Sequence, residues 1–204
     1  MSLRGGSEHP RPRFHFKQKD SETLCLLHAL SSYASNRAHY DESFELELFL
    51  PAYVESYRKL YKEDPPTRHL TGKSGFNTRA ALEAVFPEQF EAVGGSLYPD
   101  KPRVRFDDNG IYLLSFYRGS NATMGHVVLI YKGWFIDANM SEPYEITTMK
   151  KAGLPLKELL TKFRSFRSQP TIQLVFKYRA LPLARGSLMA YVMPDGSVTY
   201  IKPD

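Results

Sequence analysis

The chain has 204 residues, of which 42% are hydrophobic and 13% aromatic, and it carries a net charge of +5. This length and composition suit one buried core, and the single cysteine excludes both an internal disulfide framework and a multi-cysteine zinc site. The chain has no apolar leader and no stretch near the ~20 apolar residues of a membrane span. We therefore expect a soluble protein of the cytosol or nucleus.

The N-terminal segment predicts no regular structure. Residues 1–13 contain glycine, proline and arginine without any periodicity, which indicates a flexible basic tail. A basic tail can contact nucleic acid, but the chain lacks a nucleic-acid-binding motif. We expect a solvated segment and no nucleic-acid partner.

Three helices are predicted in the first half of the chain. Residues 21–35 carry leucines on one face, and residues 42–62 repeat apolar side chains at helical spacing. Pro51 lies within the second segment and predicts a kink or two abutting helices there. Residues 77–86 form a third, short helical segment.

Strands dominate the second half of the chain. Lys132-Gly133 predicts a tight turn between two of them, and a Pro-Asp-Gly-Ser turn at 194–197 predicts a terminal hairpin. Helices followed by an antiparallel sheet with one inserted helix indicate an α+β domain. The predicted strands are 110–117, 125–131, 133–138 and 171–178, and the inserted helix is 155–166.

Cys25 is the residue on which an enzymatic function depends. A lone cysteine on an amphipathic helix is most often a core residue, but Cys25 lies near the start of its helix, where the helix dipole favours an anion. A nucleophilic thiolate also needs a histidine, preferably on another element. His28 shares a helical face with Cys25 and is too close in sequence to protonate a leaving group, so we interpret it as a packed neighbour. His126, which opens the strand G-H-V-V-L-I-Y, is the better candidate.

Two residues are candidates to orient His126. Asp137 and Asn139 follow His126 by eleven and thirteen residues, at the end of the next strand. A hairpin brings the start of one strand beside the end of the other, and the shared parity of the two residues directs both side chains to one face. Either could reach His126. Gln18 and the Cys25 amide are candidate oxyanion donors, and Trp134 is either a shield for the His126 contact or a plain core residue.

The order of these residues resembles the Josephin family of papain-like deubiquitinases. The resemblance rests on F-H-F-K-Q at 14–18, L-C at 24–25 with a histidine three residues later, S-G-F at 74–76, and a histidine followed by W-F at 134–135. It covers about residues 14–182, which we predict to be the catalytic domain, with 183–204 as a C-terminal β-hairpin extension.

The resemblance implies a papain-like fold, in which N-terminal helices and a helical arm pack on a central antiparallel sheet. It implies hydrolysis of the bond after the terminal Gly-Gly of ubiquitin or of polyubiquitin chains, without metal or cofactor. Cys25 would be the nucleophile, His126 the base, and Gln18 an oxyanion donor. The segment 42–62 would be the arm that helps to hold ubiquitin.

Two spacings differ from the family pattern. Gln18 lies seven residues before Cys25, further than in the family. The hairpin after His126 is shorter than the family's, which leaves the third member open: Asn139 matches the family's residue type, whereas Asp137 is nearer the position facing His126 and is slightly preferred.

Two other functions are compatible with the sequence. One is a papain-like protease of different specificity, which acts on a polyprotein or a ubiquitin-like protein. The other is a non-catalytic module that binds ubiquitin or another protein, in which Cys25 is a core residue.

Overall fold

The computed structural model describes residues 10–19, 23–38, 44–71, 74–97, 109–117, 123–145, 171–181, 189–192 and 198–201. These residues form a mixed α+β structure, which confirms the predicted class. The predicted helix 155–166 and residues 1–9 of the predicted tail lie outside the described residues. The helices are α1 (Cys25–Ala38), α2 (Leu46–Tyr61), α3 (Thr67–Leu70) and α4 (Thr78–Val85). The strands are β1 (Phe90–Leu97), β2 (Gly110–Tyr117), β3 (Thr123–Tyr131), β4 (Trp134–Ile136), β5 (Tyr144–Glu145), β6 (Thr171–Ala180), β7 (Met189–Val192) and β8 (Val198–Ile201).

Helix α1 is the central buried helix. Its first hydrogen bond runs from the amide of His28 to the carbonyl of Leu24 at 3.0 Å, so Cys25 is its first helical residue. Leu30 and Tyr33 are almost fully buried, at 0% and 1% exposed. Burial of each such side chain stabilises the fold by about 1.5–3 kcal/mol, so packing of this face holds the Cys25 end of the helix in place.

Helix α2 differs from its prediction. It is one helix with Pro51 inside it, not two abutting helices. Pro51 is exposed and lies in the second turn, where its missing N–H removes only one bond of the helical ladder. Phe49, Tyr53 and Tyr57 are buried on the other side of the helix, and this packing outweighs the lost bond.

Helix α4 begins where the sequence predicts. The side chain of Asn77 accepts a hydrogen bond from the amide of Ala80 at 3.0 Å, which satisfies one of the unpaired donors of the first turn. Phe76, which precedes this cap, stacks edge-on against Phe49 and Tyr53 of α2. α2 and α4 are thereby joined through an aromatic cluster.

The main sheet is antiparallel throughout its described part. Its six strands run in the order β1-β6-β2-β3-β4-β5, and β7 and β8 pair separately as the predicted terminal hairpin. The predicted strands correspond to β2, β3, β4 and β6, which are confirmed. The edge strands β1 and β5 were not predicted, and β1 carries a bulge between Ala92 and Gly94.

The β3–β4 hairpin turns at the predicted position. Lys132 and Gly133 have φ values of 45° and 75°, the pair of left-handed residues that a type I′ turn requires. The pairing is Tyr131 with Trp134 and Leu129 with Ile136. Strand β4 ends at Ile136, so the predicted strand over 133–138 is too long.

No helix in the described part of the chain is long and apolar enough to cross a membrane.

Candidate active site

Cys25 occupies the N-terminus of α1. The amides of the first helical turn have no acceptor within the helix and make this end of the dipole positive. No acidic side chain lies in this turn to offset it. The thiol is only partly buried, so an anion here is favoured by the helix while remaining accessible to a substrate.

His126 lies on β3, where it pairs with Leu114 of β2. Its ring is buried, and its Nε2 is 2.8 Å from Oδ2 of Asp137. A carboxylate only accepts hydrogen bonds, so Nε2 carries the proton and donates it. The Cys25 thiol lies near enough to this imidazole to help raise its pKa. Nδ1 is the ring nitrogen left to interact with it.

Asp137 is 1% exposed and held on several sides. Its Oδ1 accepts a hydrogen bond from the amide of Asn139 at 2.7 Å. Its carbonyl oxygen accepts from the amide of Met140 at 3.0 Å, which closes a turn directly after β4. The carboxylate is therefore fixed by the turn that its own residue starts, with Oδ2 directed to His126.

The charge of Asp137 determines the protonation of His126. Burial disfavours the imidazolium and lowers its pKa, but the carboxylate, by its charge and its hydrogen bond, outweighs burial, and Cys25 adds to the rise. Together they raise the pKa of His126 to about 10. His126 is thus an imidazolium at neutral pH, beside a thiol at a helix N-terminus.

Of the two candidates that the sequence left open, Asp137 is the one that contacts His126. The strand-parity argument does not extend to Asn139, because strand alternation ends with β4 and Asn139 lies in the following turn. Asn139 contributes its main-chain amide to the Asp137 carboxylate.

Gln18 lies next to the same turn. Its main-chain amide donates to the carbonyl of Ala138 at 2.9 Å. The segment before Cys25 therefore lies against the residue that follows Asp137. His28 is partly buried on α1, one turn after Cys25, as expected of a packed neighbour.

Trp134 is partly buried at the edge of the core. It pairs with Tyr131, whereas His126 shares strand parity with Ile130, so the side chains of Trp134 and His126 lie on opposite faces of the sheet. Trp134 packs against the main hydrophobic cluster. This position fits the predicted role of Trp134 as a packing residue. It does not fit the alternative, in which Trp134 shields the His126–Asp137 contact from water.

His15 is the neighbour of the site that sequence reasoning missed. Its Nε2 is 2.7 Å from the carbonyl oxygen of Asp137. F-H-F-K-Q contributed to the family resemblance, but no spacing rule links a histidine near the N-terminus to a turn that begins more than a hundred residues later. That contact depends on tertiary structure alone.

The described residues contain no group of three or more histidine, cysteine or acidic side chains able to hold a metal ion. Comparisons with protein-family models, with curated proteins and with solved structures gave no match for this chain.

Proposed function

We propose that this protein is a papain-like cysteine protease that releases ubiquitin by hydrolysing the bond after its terminal Gly-Gly. The observation that carries the proposal is the buried hydrogen bond between the His126 imidazole and the Asp137 carboxylate, with the Cys25 thiol near enough to help raise the pKa of that imidazole. Each group is of the type and in the order that thiol hydrolysis needs. A nucleophile helix packed on an antiparallel sheet that carries the base is consistent with a papain-like fold.

The first half of the reaction forms an acyl-enzyme. The Cys25 thiolate attacks the carbonyl carbon of the scissile bond, and the oxygen becomes an oxyanion that the Cys25 amide and Gln18 would stabilise. The imidazolium of His126 then gives its Nδ1 proton to the leaving amine as the carbon–nitrogen bond breaks. Asp137 holds the ring in the orientation that this transfer requires.

The second half returns the enzyme to its starting state. A water molecule gives one proton to Nδ1 of the now neutral His126, and its oxygen attacks the thioester carbon. The carbon–sulfur bond breaks, the carboxylic acid leaves, and the thiolate–imidazolium pair is restored. No redox or metal step is involved.

The assignment to ubiquitin rests on the Josephin resemblance. Phe14 to Gln18, Leu24-Cys25 and the histidine at position 28 match the family's N-terminal motif, and two residues of that motif, His15 and Gln18, contact the Asp137 turn. The aromatic cluster of α2 and α4 gives the proposed arm a rigid attachment to the domain.

A ubiquitin probe with an electrophilic C-terminus tests the proposal. We expect a covalent adduct of one ubiquitin per chain, located at Cys25 by peptide mass analysis and lost in Cys25→Ser. Cleavage of a ubiquitin–peptide isopeptide bond should be lost in the same variant. His69→Ala is the matched control, because it removes a histidine of α3 that contacts neither Cys25 nor Asp137, and it should label at the wild-type rate.

Other results would contradict the proposal in recognisable ways. An adduct that forms in Cys25→Ser would exclude this thiol as the nucleophile. Cleavage of other peptides without ubiquitin labelling would indicate a papain-like protease of another specificity. Binding of ubiquitin without labelling or cleavage would indicate a non-catalytic module.

A further inference from the structure

A short segment before Cys25 joins the nucleophile helix to the Asp137 turn. We call residues 14–18 the strap. Side chains of α1 bind the main chain of the strap. The Asn36 side chain accepts a hydrogen bond from the amide of Phe14 at 3.2 Å and donates one to the Phe14 carbonyl at 2.7 Å. The amide of Phe16 donates to Oγ of Ser32 at 3.3 Å. The strap is thereby fixed along the helix that carries Cys25.

The other side of the strap contacts the turn after β4. His15 reaches the carbonyl oxygen of Asp137 at 2.7 Å, and the amide of Gln18 reaches the carbonyl of Ala138 at 2.9 Å. A carbonyl oxygen only accepts, so Nε2 of His15 carries a proton and donates it. The strap alternates between the two elements, with Phe14 and Phe16 bound to α1 and His15 and Gln18 bound to the turn.

We propose that His15 is a positioning residue that holds Asp137 in place to orient His126. This role rests on the proposed function only because that function requires Asp137 to orient the His126 imidazole. Through the strap, the distance between the Cys25 helix and the Asp137 turn is set by hydrogen bonds of one continuous segment. His15 contacts the main chain of Asp137 and leaves both carboxylate oxygens to His126 and to the amide of Asn139.

A neutral donor suits this position. Burial lowers the pKa of His15, as do the cations Lys17 and Arg11, while its bond to the Asp137 carbonyl and the Asp137 charge act in the opposite direction. The net shift is downward, so His15 at neutral pH brings a hydrogen-bond donor to Asp137 without a second positive charge. A cation here would compete with His126 for the carboxylate.

The test compares two substitutions of similar length. His15→Gln keeps an N–H donor, and His15→Met removes it. Lys17→Ala is the control, because Lys17 lies in the same strap with an exposed side chain. The probe is the His126 ring itself, followed by NMR in protein with ¹⁵N-labelled histidine, with the signal assigned by its loss in His126→Gln. Iodoacetamide labelling of Cys25 at pH 6 is the second readout, and it is unambiguous because the chain has one cysteine.

We expect the Met variant to lose the slowly exchanging Nε2–H signal of His126 and to lower the pKa of that ring by about one unit or more, a tenfold change in its protonation equilibrium. Labelling of Cys25 at pH 6 should fall about tenfold, because an imidazolium that Asp137 no longer orients stabilises the thiolate less. The Gln variant should stay within about twofold of wild type in both readouts, as should Lys17→Ala. A mere packing role for His15 would not produce this difference between Gln and Met.

Two results would overturn the proposal. One is an unchanged His126 signal and titration in the Met variant, and the other is an equal loss in the Gln and Met variants. If the Met variant fails to fold, His15→Ala with and without imidazole in the buffer gives the same comparison, and recovery of the His126 signal with imidazole is the expected result. The NMR readout needs no substrate, so failure to cleave ubiquitin would contradict the proposed function and leave this result standing.

Discussion

Two histidines of this protein make hydrogen bonds of similar length, but their pKa values are shifted in opposite directions. His126 donates to the Asp137 carboxylate at 2.8 Å, and the pKa of its ring is raised to about 10. His69 of α3 lies 2.8 Å from the Tyr53 hydroxyl, and the pKa of its ring is lowered, first by burial and then by Arg68. Burial lowers the pKa in both places, and only a charged partner reverses the effect.

The two contacts also differ in what they hold. The Tyr53 hydroxyl accepts from the amide of Asn77 at 3.1 Å and forms a second hydrogen bond with Nδ1 of His69. That arrangement links α2, α3 and the cap of α4 with no ionised group. The His126 contact instead keeps a positively charged imidazolium near the only thiol. The neutral contact stabilises structure, whereas the charged one can perform chemistry.

Removing the charge of Asp137 should have the largest effect. In Asp137→Asn, the amide oxygen can still accept from His126, but the imidazolium loses its counter-charge and the pKa of His126 should fall toward that of His69. We expect ubiquitin-probe labelling of Cys25 to fall by roughly 10²–10⁴-fold. The measurement is the second-order labelling rate beside an NMR titration of the ring. Labelling within a few-fold of wild type would remove Asp137 from the mechanism.

The second prediction concerns stability against pH, measured in Cys25→Ser so that the thiol does not titrate. Asp137 still raises the pKa of His126 in that background, so the folded state binds the proton more tightly than the unfolded state. This stabilisation is fully present below about pH 6.5 and is lost as pH rises toward the folded-state value. We expect the free energy of unfolding in urea to decrease over this range, by an amount on the order of a few kcal/mol.

His126→Gln in the same background should abolish that decrease. His69 should act with the opposite sign, because its lowered pKa gives stability that is present above about pH 6.5 and lost as pH falls through the folded-state value. His69→Gln should therefore change the slope on the acid side alone. Equal slopes above pH 7 with and without His126 would contradict the raised pKa.

The neutral contact should matter for stability only. Tyr53→Phe removes the acceptor of the Asn77 amide and the hydrogen-bond partner of His69, and should lower the free energy of unfolding by about 1–2 kcal/mol. Labelling of Cys25 by iodoacetamide should not change, since neither residue contacts the thiol. Urea unfolding and labelling of the same preparation measure both. A large loss of labelling in a folded Tyr53→Phe protein would show that the two regions are coupled.

Asn139→Ala should have the smallest effect on the reaction. The amide that Asn139 donates to Asp137 belongs to the main chain and survives the substitution. We expect labelling within about threefold of wild type, in contrast to Asp137→Asn, because the donor to Asp137 is kept and the substituted side chain is partly exposed. The reverse order of the two variants would make Asn139 the orienting residue.

Local chemistry explains what the sequence predicted well. Lys132-Gly133 matches the demand of a type I′ turn, and that turn brings the β3 and β4 strands together so that Asp137 faces His126. Asn77 is a good helix cap whatever surrounds it. These features depend on a few adjacent residues and were readable from them.

Tertiary contacts explain what was not predicted. The β1 sequence F-E-A-V-G-G-S-L has two adjacent glycines and poor strand propensity, and it becomes a strand by pairing with β6. Pro51 stays within one helix because buried aromatic residues hold α2 on both sides of it. The place of Asn139 depends on where strand β4 ends, and the role of His15 depends on which distant turn its segment contacts. Neither follows from local spacing.

The most direct test of the account is the alkylation rate of Cys25 by iodoacetamide from pH 5 to 10, in wild type and in His126→Gln. The account predicts that wild type reacts readily at pH 6, where a free thiol with a pKa of about 8.5 is almost fully protonated. The His126→Gln rate at pH 6 should be lower by about tenfold or more. Superimposable profiles for the two proteins would show that no thiolate–imidazolium pair exists and that Cys25 has only a packing role.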